Sequence, residues 1–185
     1  LKQGTPGLQN SMFVARRGPD IQNVTHAPVL PVSGEPIVVT AQVTDIEKPG
    51  PVLLFYRSEG GTFVNTLMVD NGTGHDAIAG DRVFTGTVPG APGGTLRAFY
   101  IEAMGSADST RFPARLDDSA EVPDRTCLVR VGDSVLNTQL ATYRVWMSND
   151  VVNAFRSRPT LSNELMDCTF VYNDTEVFYN TRLRF

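Results

Sequence analysis

The sequence predicts a mainly β protein, namely a two-layer β-sandwich of about seven strands followed by a short C-terminal α+β segment. Three observations lead to this prediction. Apolar and polar residues alternate over short stretches between residues 20 and 132. Turn sequences rich in Gly, Pro, Asn and Asp separate these stretches at intervals of about ten residues. No helical period appears before residue 145.

The clearest strand lies near the start of this region. From Ile37 to Thr44 every second residue is apolar, which is typical of a strand with one buried face. Segment 104–125 lacks such alternation, and we expect it to be a long loop that crosses to the last strand. The remaining strands are expected near Ile21–Thr25 and at Val52–Arg57, Phe63–Val69, Arg82–Val88, Leu96–Ala103 and Thr126–Val131.

A different pattern follows Gly132. A strand at Tyr143–Met147 precedes a short helix that Ser148 would cap and Pro159 would stop. Cys168–Tyr172 and Glu176–Phe185 then form a hairpin. We therefore expect three parts: a linker or the tail of a preceding β module at 1–18, the sandwich at 19–132, and a separate C-terminal segment at 139–185.

The charge balance excludes some partners. The formal net charge is −4, whereas general nucleic-acid binders carry a basic surface. The charge therefore argues against nucleic acid as a partner. The sequence has no run of about 18 apolar residues, so no membrane-spanning helix is expected.

The cysteines and histidines are few and scattered. Cys127 and Cys168 form either one disulfide or two separately buried thiols, and the sequence leaves both alternatives open. His26 and His75 are isolated histidines, and we expect surface positions for both. Thr73 and Asp76 lie near His75 in sequence, but a loop tip cannot easily exclude water from a reaction. No convergent set of nucleophile, base and pocket is evident, and we predict no catalytic residue and no enzymatic activity for this chain.

Calcium is the one cofactor that the sequence suggests. Asp70, Asn71, Asp76 and Asp81 place four oxygen donors on one glycine-rich loop, and calcium prefers six to eight oxygen ligands. The spacing does not match an EF-hand. Asp and Asn also cap turns through their own backbone without an ion. These four residues are thus a candidate metal site, with turn capping as the alternative.

The same loop carries a resemblance. The stretch Asp70–Phe84 resembles a loop of bacterial secreted immunoglobulin-like or fibronectin-III-like modules, and Phe99–Ala103 is similar to a later strand of those modules. The resemblance implies an immunoglobulin-like sandwich over residues 19–132, with Phe99 at the position of a tyrosine. His75 and Arg82 stand where the pattern has glycines, so neither is expected to need a positive φ.

Residues 140–185 carry a second resemblance, to the opening of the CotH kinase-like family. The matching segments are Tyr143–Met147, Asn149–Phe155, Phe170–Tyr172 and Tyr179–Phe185. The resemblance implies the N-terminal fragment of such a domain at 139–185, with the phosphate-binding lysine beyond this chain. No catalytic residue of that family can be carried onto this sequence. Residues 4–11 also look like the end of a lamin-tail-like β domain.

Together these observations predict a non-catalytic spacer or adhesion module of a larger secreted or surface protein of bacteria, located outside the cell or at its surface. One alternative is an accessory and opening segment of a CotH-type atypical kinase, and another is a calcium-stiffened adhesin repeat. The expected partners are other domains of the same protein and a surface glycan or protein. A second copy of the chain is a further expected partner, through strand 176–185, because exposed edge strands invite pairing.

Overall fold

The computed structural model describes residues 18–45, 50–106, 108–115, 125–160 and 162–184. Over these residues the chain is mainly β, with antiparallel sheets and one short helix, and the predicted β-sandwich architecture with a C-terminal α+β segment is confirmed. The elements are β1 (Asp20–Ala27), β2 (Ile37–Thr44), β3 (Val52–Ser58), β4 (Val64–Met68), β5 (Val83–Val88), β6 (Leu96–Met104), β7 (Ser109–Phe112), β8 (Cys127–Arg130), β9 (Tyr143–Trp146), α1 (Asn149–Ser157), β10 (Met166–Tyr172) and β11 (Glu176–Leu183).

The sandwich is built from β1 to β8. The first sheet has the strand order β1-β2-β5, and the second has the order β4-β3-β6, with β7 and β8 both paired to the far edge of β6. The backbone N–H and C=O of Val69, next to β4, bond those of Thr85 in β5 at 2.9 and 2.8 Å. This bridge joins the two sheets at one side of the sandwich.

The core lies between the two sheets. In β2, Ile37, Val39, Ala41 and Val43 are fully buried, as the alternation predicts. They share one apolar cluster with buried residues of β3 and β6. The layers approach so closely at Gly86 of β5 that a Cβ there would lie 2.9 Å from Cγ of Met68.

The prediction of a loop over 104–125 is wrong for Met104, the last residue of β6, and for four further residues, whereas 107 and 116–124 lie outside the described residues. Ser109–Phe112 forms β7, in which Phe112 pairs with Ile101 of β6. Further along the same edge of β6, Cys127 of β8 pairs with Phe99. β7 and β8 are therefore successive pieces of one edge, separated by residues 113–126. The four residues of β7 show no apolar alternation, so only their neighbour on β6 defines them as a strand.

The C-terminal sheet, β9 to β11, has the order β11-β10-β9. Its side chains Trp146 and Val171 belong to the same apolar cluster as the sandwich core, and Val177 and Tyr179 pack against that cluster. The division of the chain into a sandwich at 19–132 and a separate segment at 139–185 stays a prediction. In the structure its sheet shares apolar packing with the sandwich.

Helix α1 begins where the sequence indicated. Ser148 is the N-cap, and its Oγ accepts a hydrogen bond from the backbone N–H of Val151 at 3.3 Å. Pro159 follows shortly after the last helical residue. Within the described residues no helix is long and apolar enough to cross a membrane.

Candidate functional site

The loop between β4 and β5 brings three of the four predicted metal ligands together. One carboxylate oxygen each from Asp70, Asp76 and Asp81 lies within 4.8 Å of the other two. Asp76 is buried, Asp70 is half-buried and Asp81 is exposed. A cluster of like charges at this distance costs free energy unless hydrogen bonds or a cation offset the repulsion.

Backbone N–H groups supply many hydrogen bonds to these carboxylates. Oδ1 of Asp70 accepts from the N–H of Gly80 at 2.6 Å, and its Oδ2 accepts from the N–H of Arg82 at 3.0 Å. Asp81 Oδ1 accepts from the N–H of Val83 at 2.9 Å. Asp70 thus ties the start of the loop to its end, which is a structural role that needs no ion.

Asp76 and Asn71 act in the same way inside the loop. Oδ2 of Asp76 accepts from the N–H groups of Asn71 and Gly72, both at 2.5 Å. Oδ1 of Asn71 accepts from the N–H and the hydroxyl of Thr73, at 3.0 and 2.7 Å. The fourth predicted ligand is thus engaged in its own turn. The hydrogen bonds are those expected for turn capping, and calcium binding stays a proposal.

Arg82 corrects one expectation drawn from the resemblance. Arg82 has φ of 69°, in the left-handed region that glycine adopts most easily. The position therefore does adopt the glycine-like conformation although an arginine occupies it. The hydrogen bond from its N–H to Asp70 holds this conformation, and an arginine at this position does not by itself signal it.

A second region of interest is the docking interface, which we define as the contact between the sandwich and the C-terminal sheet. His26 of β1 lies there, and it is only 3% exposed, so the expected surface position is wrong for this residue. Its Nε2 hydrogen-bonds the carbonyl of Val29 at 3.2 Å, and its Nδ1 hydrogen-bonds the hydroxyl of Tyr179 on β11. Burial lowers the pKa of His26 to about 4, although the hydrogen bond to Val29 opposes this shift.

Tyr179 is the centre of this interface. Its ring meets the ring of Phe99 edge-on, at a centroid distance of 5.4 Å. Burial raises the pKa of its hydroxyl, and the negative charge that Cys127 carries when ionised acts in the same direction. Phe99, read from sequence only as a replacement for a tyrosine, is thus a contact of the C-terminal sheet.

A polar contact flanks the aromatic one. Oδ1 of Asp167 on β10 lies 3.0 Å from Nε of Arg125, which precedes β8, and 3.0 Å from Nε of Arg182 on β11. Next to it, Thr169 Oγ1 accepts from the buried N–H of Leu128 on β8 at 2.9 Å. The C-terminal sheet thereby satisfies a donor on β8 that would otherwise be an unpaired edge group.

The structure has two buried free thiols, which is one of the two alternatives from sequence. Burial raises the pKa of both Cys127 and Cys168. The Cys168 thiol contacts Thr181 Oγ1 at 3.3 Å. Thiols with raised pKa values are poor nucleophiles, which is consistent with a packing role.

A groove of about 340 Å³ lies between the second sheet and the start of α1. Arg57, Glu59 and Asp150 stand around it, above an apolar floor that includes Leu96 and Leu128. Glu59 accepts a hydrogen bond from the N–H of Asn149, at the positive end of α1. The groove therefore already contains an internal anion at the helix terminus.

No family model matches the chain, and no curated protein matches it.

Proposed function

We propose that this chain is a non-catalytic structural module, a rigid spacer or adhesion unit of a larger secreted or surface protein. Both the immunoglobulin-like character of residues 19–132 and the extracellular location belong to this proposal. The architecture supports this proposal. A spacer has to keep its parts in a fixed relative orientation, and shared packing between those parts provides this.

The apolar packing shared by the sandwich and the C-terminal sheet is the observation that carries the proposal. Trp146 and Val171 of the C-terminal sheet lie in one cluster with the sandwich core. Polar contacts at the edge add orientation, since Arg125 and Asp167 form a partly buried ion pair. Two parts joined in this way turn as one body, whereas a flexible linker would let each turn alone.

Equilibrium unfolding at neutral pH tests this proposal. The single tryptophan, Trp146, reports on the C-terminal sheet, and far-UV circular dichroism reports mainly on the larger sandwich. We expect the two urea transitions to coincide, as they do for one cooperative unit. A fluorescence transition at clearly lower urea than the dichroism transition would contradict a single rigid module. A glycan array then separates adhesion from a purely spacing role.

A calcium-stiffened adhesin repeat is the second candidate. The three converging carboxylates of Asp70, Asp76 and Asp81 favour it, and one oxygen each of Asp76 and Asp81 is not used in the hydrogen bonds described above. Calcium bound to the folded state alone would raise the stability by about 2.7 kcal/mol at a concentration one hundred times its Kd. A melting temperature unchanged between millimolar calcium and chelator would remove this candidate.

The resemblance to CotH kinase-like proteins gives a third proposal, that residues 139–185 open a kinase-like domain. Calorimetry with a nucleotide, on this chain and on a longer chain that includes any following residues, tests it. Binding by the longer chain alone is the expected result. The absence of binding by both chains would leave the proposal without support.

A further inference from the structure

The geometry points to His26 as an acid-sensitive latch that holds the C-terminal sheet on the sandwich and releases it when the ring is protonated. This inference rests on the docking interface itself. It does not depend on whether the module serves as a spacer or an adhesin.

The hydrogen bonds of the ring define its neutral state. In the docked form Nε2 donates to the carbonyl of Val29, so Nδ1 is the acceptor for the hydroxyl of Tyr179. A second proton would make Nδ1 a donor as well. The Tyr179 hydroxyl would then have to turn around and lose its acceptor, and a positive charge would stand in a buried site.

Among the described residues, burial and the hydrogen bond to Val29 are the causes of the His26 pKa shift, and no charged side chain contributes to it. The titratable groups near the ring are the hydroxyl of Tyr179 on β11, which bonds Nδ1, and the thiol of Cys127 on β8, which interacts with Tyr179. Burial raises the pKa of both groups, so both stay protonated and neutral under acid conditions. Val39 of β2 pairs with His26 in the sheet, and Phe99 of β6 meets the Tyr179 ring edge-on.

The sign of the pH effect follows from these groups. Burial lowers the pKa of His26 to about 4 in the docked state from an ordinary value of 6.5. Above about 6.5 the ring is neutral in both states, and docking is at its strongest. Between 6.5 and 4 it is mainly the released ring that takes up a proton, so the opening constant rises by up to about tenfold per pH unit, or about 80-fold across the window.

The measurement uses Cys127 as a reporter of opening. Cys127 is fully buried, and it is close enough to Tyr179 to affect the pKa of the Tyr179 hydroxyl. The Cys168→Ser background leaves it as the single thiol, since the chain has two cysteines. Its labelling by an uncharged aromatic disulfide, divided by the rate for the urea-unfolded chain at the same pH, gives the opening constant. We expect a rise of about 100-fold or more between pH 7 and 4, while far-UV circular dichroism keeps its sandwich signal.

Two substitutions test whether His26 causes the pH dependence of the opening constant. His26→Gln keeps a donor and an acceptor but does not titrate, and its opening constant is expected to change less than threefold over the same range. His75→Gln removes the other histidine, which is exposed on the loop between β4 and β5 (the acidic loop), and this variant should behave like the parent. A parent profile that is flat, or a His26→Gln profile as steep as that of the parent, would overturn the latch.

A third variant covers the case in which His26→Gln does not fold. Tyr179→Phe keeps the ring on Phe99 and removes only the hydroxyl, so His26 still titrates in the interface. We expect a higher opening constant at pH 7 and the same steepness below 6.5. A pH-independent profile in Tyr179→Phe would also overturn the inference. A loss of the dichroism signal in step with labelling would show global unfolding, and it too would count against a latch.

Discussion

Asp174 in the β10–β11 turn holds the guanidinium of Arg144 on β9 through both of its oxygens, at 2.5 Å from Nε and 3.0 Å from Nη2. The hydrogen bond lowers the pKa of Asp174 and raises that of Arg144. Arg144 also donates to the carbonyl of Ser134 at 2.7 Å. Asp174 Oδ2 accepts from the N–H of Leu136 at 3.0 Å. One ion pair therefore fastens the segment between β8 and β9 to the hairpin turn.

This pair predicts that Arg144→Lys loosens the segment between β8 and β9. Lysine keeps the charge but cannot form the bidentate hydrogen bond to Asp174. We therefore expect a loss of about 1–3 kcal/mol in the free energy of unfolding and faster proteolysis around Leu136. Arg130→Lys is the control, because its side chain is 49% exposed in its pair with Asp133. Equal effects of the two substitutions would contradict the role assigned to Arg144.

The aromatic contact at the docking interface gives a second prediction. Tyr179→Ala removes a large side chain that packs against the core, and we expect it to cost about 3–5 kcal/mol in unfolding free energy. Tyr179→Phe should cost about 1–3 kcal/mol, because only the hydrogen bond to His26 is lost. Tyr143→Ala, at a position 65% exposed, serves as the control. Urea titration followed by Trp146 fluorescence measures all three.

The acidic loop gives a prediction that is independent of calcium. Asp76→Ala removes the acceptor of two N–H groups in a buried position, so we expect a loss of about 1–3 kcal/mol in chelator. Asp81→Ala, at an exposed position with a single bond to Val83, should cost less than about 1 kcal/mol. If the order of the two effects is reversed, the hydrogen bonds do not organise the loop as described.

Close approach of the two sheets gives a fourth prediction. In Gly86→Ala the new methyl group would lie 2.9 Å from Cγ of Met68 and 3.1 Å from Cδ2 of Leu54. We expect a lower melting temperature, equivalent to about 1–3 kcal/mol. In Gly93→Ala the nearest atom would be 3.8 Å away, on Ser33, and we expect little change. A stabilising Gly86→Ala substitution would show unfilled space between the layers.

Local patterns were sufficient for most of the sandwich. The alternation from Ile37 to Thr44 reports burial directly, because one face of β2 meets the core. Ser148 signalled the start of α1 through its capping chemistry. Strand β7 could not be found in this way, since its identity depends on pairing with β6 rather than on its own residues.

The acidic loop was predictable as a cluster, because its carboxylates are close in sequence. The docking interface was not, because His26 and Tyr179 lie 153 residues apart, and neither residue type signals such a contact alone. The sequence pattern pointed the other way: His26 lies five positions after Ile21, and an odd separation puts two residues on opposite faces of a strand unless a bulge intervenes. The register shift in β1 between Gln22 and Thr25 restores the inward orientation.

Backbone ¹⁵N relaxation by NMR at pH 7 tests the central claim, that the sandwich and the C-terminal sheet form one rigid body. We predict the same rotational correlation time for amides of β2, β3 and β6 as for amides of β9, β10 and β11. A clearly shorter correlation time for β9 to β11 would show independent motion and would contradict the claim.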